Sequence, residues 1–523
     1  IRASGQHVHR RSRLNAEPVK SRPVFGRWWL VAAVGLAAVL PTPVTPASVA
    51  ASSTSIQWRS CGERLQCARV RVPLDWDRPH GRTISLKLIR HLASKPEQRI
   101  GSMFINPGGP GDSGVGLVKG AGDDLDGWGA GRFDVVSWDP RGTNASTPVR
   151  CFGSERSAAR FWRGVSIPIT KAQSTSFSRK STVLARRCGN VSGWLLPHIS
   201  TADTARDLDH LRRLVGDSTL TYVGLSYGTF LGQTYANMYP GRVRAMLLDG
   251  VVDPVRYTRS AEARTVSGIR GTDEVFNQFL DLCRRAGPER CALAGRLRTP
   301  AERFHRMLQR VRRSPVPAPD ARPPGSLDEA DLLLSQFAPL RNPELWPQNA
   351  AALNAAMRGN PSDLEAGAGP FLTPKGWASV TTSAAISCAD ASAHRPPKAW
   401  PRVIGRFNRI SRLQGRVQGW WLWAPCAAWP VRGQDAYRGP WNASTPNPIL
   451  LIGTRHDPNT PYRNAVRAQR LLGNAVLLTH NGYGHLSYQD PSACVELARV
   501  DYLVNVKTPL NGTVCKPDKR PFH

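Results

Sequence analysis

Ser226 stands at the centre of Gly224-Leu225-Ser226-Tyr227-Gly228. This G-x-S-x-G spacing suits a sharp strand-to-helix turn that lifts a serine hydroxyl clear of a sheet. A serine hydroxyl is a weak nucleophile until a histidine accepts its proton and a carboxylate orients that histidine. Two later loops offer those partners in the order acid, then base. The apolar run 448–453 leads into Thr454-Arg455-His456-Asp457-Pro458, and residues 475–478 lead into Asn481-Gly482-Tyr483-Gly484-His485. Asp457 and His485 are therefore the expected acid and base. His456 and His480 lie close by, but the first precedes the acid and the second directly follows its strand. Asp249 and Asp253, just past the strand after the serine, are rival acids. Acyl transfer also needs backbone N–H groups for the oxyanion, worth several kcal/mol of barrier. Tyr227, directly after the serine, should supply one. The glycine-rich loop Asn106-Pro107-Gly108-Gly109-Pro110-Gly111-Asp112-Ser113-Gly114 should supply the other, with Gly109 the chosen donor. No G-K-[ST] follows this loop, so a phosphate cradle is not indicated.

The elements that must hold these residues alternate between strand and helix. Residues 220–225 read as a short buried strand and 227–239 as a helix stopped by Pro240. Further strands are read at 102–105, 133–138, 243–248, 448–453 and 475–478, with an alternating, antiparallel opening pair at 70–74 and 83–90. Leu208, Leu211 and Leu214 mark a helix closed by Gly216. Strands that are apolar throughout, alternating with helices, indicate a mainly parallel α/β sheet. With Ser, acid and His in that order, the fold class expected is the α/β-hydrolase fold. Residues 254–446 change rhythm, being rich in Arg, Pro and Ala, helical in pattern and without convincing apolar strands. They are read as a helical cap inserted between two strands of a core formed by 51–253 and 447–523.

The net charge is +32. The arginines are scattered, with no long basic run inside the globular part, so nucleic-acid binding is not expected. Attraction to an anionic cell envelope is a further option, compatible with enzyme activity. Residues 1–50 read as an uncertain N-terminal extension and a signal peptide. Arg27 precedes an uncharged, mostly apolar run at 28–40, too short to span a bilayer comfortably, with cleavage expected near Ala50 after Ser48-Val49. The ten cysteines agree with an exported protein. Neighbour pairing, Cys61 with Cys67, Cys151 with Cys188, Cys283 with Cys291, Cys388 with Cys426 and Cys494 with Cys515, is the simplest scheme, though sequence alone permits many others. No C-x2-C spacing or His cluster points to zinc, and no cofactor is expected. A monomer is expected.

These residues reach a family resemblance over 58–515. The stretches CARVRVPLDW, NPGGPGDSG, FDVVSWDPRG, TADTARDLDHLRRLVG, LLDGVVDP, AISCAD, CAAWP, ILLIGTRHDPNTP, GYGHLSY and YLVNVKTPLNGTVC resemble, in order, the secreted tripeptidyl aminopeptidases and related exported esterases of actinobacteria, in the prolyl-aminopeptidase branch of α/β-hydrolases. The resemblance implies a Ser226–His485–Asp457 triad, an oxyanion hole from Gly109 and Tyr227, and aminopeptidase or carboxylesterase chemistry on a peptide or ester substrate. Asp112 stands where the family usually has another Gly. An aminopeptidase needs a carboxylate for the substrate's α-ammonium group. Glu262, Asp273, Glu274, Glu344 and Asp390 are the candidates in 254–446, with Asp390 favoured because it follows the apolar AISC stretch.

Overall fold

The computed structural model describes residues 55–522 except 323 and 392–394, and leaves the side chains of 422 and 423 undescribed. The expected signal segment and cleavage point at residues 28–50 lie outside the described residues. Among the described residues no helix is long and apolar enough to cross a membrane.

Ten strands form one sheet in the order β1-β2-β3-β5-β4-β6-β7-β10-β11-β12. In chain order these are β1 (Arg59–Gly62), β2 (Leu65–Pro73), β3 (Thr83–His91), β4 (Gly101–Asn106), β5 (Phe133–Trp138), β6 (Leu220–Leu225) and β7 (Val243–Asp249). Then come β8 (Val316–Ala318) and β9 (Gly325–Leu327), a separate small hairpin, followed by β10 (Ile449–His456), β11 (Ala475–Tyr483) and β12 (Val514–Cys515). The first three strands and the β3·β5 pair run antiparallel; from β5 onward every neighbour is parallel. β4, β5 and β6 are buried along their whole length. A parallel sheet covered by helices on both faces requires this, and it explains why these strands are mainly apolar, with the polar side chains of Ser102, Asn106, Asp134, Ser137 and Thr221 also buried.

The chain leaves the sheet after β7 and returns at β10, the direct neighbour of β7. Long helices fill the interval, among them Ala261–Ala286, Pro300–Arg313, Trp346–Met357 and Pro374–Asp390. The β8–β9 hairpin also lies there, too short to show as an apolar run. A second helical excursion, Glu155–Trp162 and Lys171–Ser192, comes between β5 and β6. It packs on the larger one: Trp162 stacks on Trp377 with ring centroids 4.5 Å apart, and Phe177 meets Trp420 at 5.6 Å. The five disulfides join sequence neighbours in the simplest scheme.

Two strand ends differ from the sequence reading. β10 continues to His456 and β11 to Tyr483. His480 is thus inside a strand, opposite Cys515, and not just past its end. The polar residues at the end of β11 hid this, since they break the apolar run while the edge strand β12 still supplies backbone partners.

Candidate active site

Ser226 occupies the turn between β6 and the helix Tyr227–Met238, at φ 55° and ψ −121°. A non-glycine residue in this region is strained, and the surroundings must hold it there. Its N–H donates to the Asp249 carbonyl at 2.9 Å. The flanking glycines admit no side chain: a Cβ on Gly228 would lie 2.5 Å from the Asn106 carbonyl oxygen, and one on Gly108 2.5 Å from the Leu225 oxygen. The glycine-rich loop after β4 is therefore pressed directly against the turn that carries the serine.

The serine hydroxyl oxygen stands 2.8 Å from His485 Nε2. On the other side of the ring, His485 Nδ1 lies 3.0 and 3.2 Å from the two carboxylate oxygens of Asp457. His485 and Asp457 are both buried, and the His485 N–H donates to the Arg341 carbonyl at 2.8 Å. Asp457 also accepts from the Asn459 and Thr460 N–H groups at 2.7 and 2.8 Å and from the Thr460 hydroxyl at 2.7 Å. A carboxylate only accepts, so Nδ1 carries the ring proton and Nε2 is left as the acceptor for the serine hydroxyl.

The rival groups are engaged elsewhere. Asp249 accepts from the Ser487 hydroxyl at 2.6 Å and from its N–H, with Arg499 nearby. Burial pushes its carboxyl above the ordinary range. Asp253 caps the helix Pro254–Arg259 and pairs with Arg256 and Arg467. His456 faces Glu274 at 3.0 Å and stacks on Tyr483. His480 is buried, and desolvation lowers its pKa to about 4, so it is neutral at pH 7.

Gly109 and Tyr227 both line the cavity that holds Ser226. The Gly108 N–H is taken by the Asn106 side chain at 3.1 Å. The Gly109 N–H makes no hydrogen bond among the described residues, and Tyr227, first in its helix, has no intrahelical acceptor for its own. The cavity, about 150 Å³, continues past Val252 to Tyr257, Arg264 and Gln418 of the inserted segment. Asp253, Arg256 and Arg264 are the charged residues in its lining. Arg264 is buried, with its guanidinium 4.2 Å over the Tyr257 ring and donating to the Ser387 carbonyl at 2.8 Å. Desolvation lowers the pKa of this guanidinium.

The carboxylates expected to take an ammonium group do not line this cavity. Asp390 is buried and accepts from the Thr201 N–H at 2.8 Å and the Thr201 hydroxyl at 2.7 Å; that hydroxyl in turn lies 2.5 Å from the Tyr227 phenol oxygen. Asp390 thus faces inward as expected, but it braces the helix Thr201–Leu214 behind Tyr227. Glu262 pairs with Arg395 and Arg406 at a separate surface groove. Glu344 is exposed, Glu274 faces His456, and Asp273 accepts from the Ser411 hydroxyl at 2.5 Å. Sequence reading missed Arg264, Tyr257 and Thr460. The first two lie in helical segments that look ordinary in one dimension, and Thr460 matters only because the turn after Asp457 folds back on it.

Comparison with known proteins identifies the family. Residues 101–329 match the alpha/beta hydrolase fold family and residues 413–515 the TAP-like protein family. The chain is 31% identical to serine protease Hip1 of Mycobacterium tuberculosis over 86% of its own length and 87% of that protein's. It is 31% identical to carboxylesterase B of the same species, covering 88% and 90% of the two chains. It is 27% identical to the tripeptidyl aminopeptidase of Streptomyces lividans, covering 91% and 89%. The chain belongs to the α/β-hydrolase family with a TAP-like C-terminal segment, and it is a serine hydrolase.

Proposed function

We propose that this hydrolase releases short peptides, tripeptides among them, from free N-termini, with Ser226 as nucleophile, His485 as general base and Asp457 as the orienting acid. The observation that carries the reading is the continuous relay from Ser226 Oγ through His485 to Asp457, with contacts of 2.8 and 3.0 Å, beside two uncommitted backbone N–H groups. Ser226 attacks the scissile carbonyl as its proton passes to His485 Nε2. The oxyanion is held by the N–H groups of Gly109 and Tyr227. His485 then gives the proton to the leaving amine, and water repeats the sequence on the acyl-enzyme. Residues 254–446 act as a cap over the sheet core of 51–253 and 447–523, and a cavity closed by their side chains favours chain ends over internal peptide bonds. The identity to a tripeptidyl aminopeptidase supports the same reading.

A fluorophosphonate probe should label the folded protein, and Ser226→Ala should abolish the labelling; unlabelled folded protein would refute the assignment. The competing reading, a carboxylesterase, is favoured by the equally extensive match to carboxylesterase B. Turnover of a tripeptide anilide, its N-acetylated copy and a p-nitrophenyl ester separates the two, since indifference to acetylation counts against an aminopeptidase.

Export followed by retention on an anionic surface belongs to the same proposal. Five disulfides support an oxidising destination. A groove of about 610 Å³ lined by Arg296, Arg298, Arg306, Arg310 and Arg313 offers the cationic face. Binding to anionic vesicles that is lost at high salt, and absent on neutral vesicles, is the expected result.

A further inference from the structure

Among the described residues, the wall of the cavity beside Ser226 carries more positive than negative charge, with Arg256 and Arg264 against Asp253. Asp253 is already well supplied with donors. It accepts from the Val255 and Arg256 N–H groups and pairs with the guanidinium groups of Arg256 and Arg467 at 3.2 and 3.4 Å. Arg264 is buried, lies over the Tyr257 ring and donates to the Ser387 carbonyl, a neutral acceptor. Asp390 also attracts it, but that carboxylate lies outside the lining and its two oxygens accept from Thr201. Asn464, buried in the same wall, accepts from the Ser267 hydroxyl at 3.2 Å, and its side-chain nitrogen makes no hydrogen bond among the described residues. Val252, Tyr257 and Phe337 add apolar surface, which excludes water and strengthens a charge-assisted bond. At about 150 Å³ the cavity is below the roughly 300 Å³ at which pockets begin to enclose drug-sized ligands, so it suits one side chain.

We infer that this cavity holds the side chain of the residue whose carbonyl Ser226 attacks, and that Arg264 selects a side chain ending in a carboxylate, Glu or Asp. The inference rests on the peptidase reading and adds the preference at the cleaved bond that this reading leaves open. That side chain branches from the carbon next to the attacked carbonyl, so it lies beside Ser226, where the cavity opens. A carboxylate entering the cavity brings an anionic acceptor to a guanidinium whose fork of donors matches its two oxygens. The Asn464 amide is placed to donate a further bond. A lysine or arginine side chain brings like charge to Arg264 instead. Desolvation lowers the pKa of this guanidinium, and a buried charge is stabilised most by an opposite charge that is also hydrogen-bonded to it.

The experiment compares kcat/KM for tripeptide p-nitroanilides that differ only in the last residue, Glu against Gln and Asp against Asn, in the wild type, Arg264→Gln and Arg264→Lys. Fluorophosphonate labelling and a melting curve certify each fold. The wild type should prefer an acid over its amide by about tenfold or more, the range expected for one charge-assisted bond. That ratio should fall to about one in Arg264→Gln, and Arg264→Lys should keep part of it. If Arg264→Gln does not fold, Arg264→Met, which keeps an apolar contact with Tyr257, gives the same reading. A wild type without the preference overturns the inference. So does a variant that loses turnover of acid and amide equally, which would make Arg264 only a brace for Tyr257 and Ser387. If the anilides are not cleaved, the aminopeptidase reading fails, and the p-nitrophenyl esters of N-acetylglutamate and N-acetylglutamine carry the same comparison.

Discussion

The Thr460 hydroxyl donates a 2.7 Å hydrogen bond to Asp457 Oδ2, while the N–H of the same residue holds Asp457 Oδ1 at 2.8 Å. One threonine therefore sets the plane of the carboxylate that faces His485. Thr460→Val keeps the shape and the backbone bond but removes the hydroxyl donor to Oδ2, leaving that oxygen only His485 Nδ1 at 3.2 Å. A hydrogen bond to a charged group typically contributes about 1.5–3 kcal/mol, about tenfold or more. The expected result is a fall of about tenfold in kcat with little change in KM, and recovery in Thr460→Ser, read by steady-state kinetics on the ester and the anilide.

The approach of Gly228 to the Asn106 carbonyl gives a second test. Gly228→Ala places a methyl carbon 2.5 Å from that oxygen, a backbone atom that cannot swing aside. The loop that carries Gly109 must then move away from Ser226. A loss of about 1–3 kcal/mol in stability is expected from the overpacking. Activity should fall much further than stability, and melting curves with active-site titration distinguish the two.

Stability should depend on pH through two buried groups of opposite sign. Desolvation raises Asp390 from 3.8 to about 6, against the two Thr201 bonds. Its contribution is present below about pH 4 and is lost as pH rises through 6. Desolvation, aided by Arg499, lowers His480 from 6.5 to about 4. Its contribution is present above pH 6.5 and is lost as pH falls through 4. Each shift corresponds to about 3 kcal/mol, so the two slopes largely offset in the wild type. Relative to wild type, Asp390→Asn should therefore gain Tm as pH rises from 4 to 6.5, and His480→Gln should lose Tm over the same range. Thermal melts at several pH values check both directions.

Cys388 and Cys426 close a 38-residue separation within the inserted segment, and Cys388 lies between Ser387, whose carbonyl holds Arg264, and Asp390. Replacing both cysteines with alanine removes a constraint worth about 4 kcal/mol in the chain-entropy account. The expected outcome is a lower Tm. Turnover of the tripeptide anilide should suffer more than that of a small ester, because the disturbance enters through the wall of the cavity and not through Ser226.

Local sequence determined much of this protein. Mainly apolar runs without a regular polar alternation specify strands covered on both faces, as β4, β5 and β6 are. Gly224 and Gly228 around Ser226 specify a turn that tolerates no side chain, and loops after β10 and β11 specify where Asp457 and His485 emerge. These features depend on residues a few positions apart, so they are legible along the chain. The tertiary structure decided everything that turns on burial and distant partners. It engaged Asp249 with Ser487 and Asp253 with arginines, leaving Asp457 alone to face His485. It extended β11 so that His480 became a buried neutral group beside β12. It turned Asp390 onto Thr201, 189 positions away, and brought Arg264 into the cavity beside Ser226. A carboxylate's role follows from which donors reach it and how much water remains around it, and only the packed chain determines both.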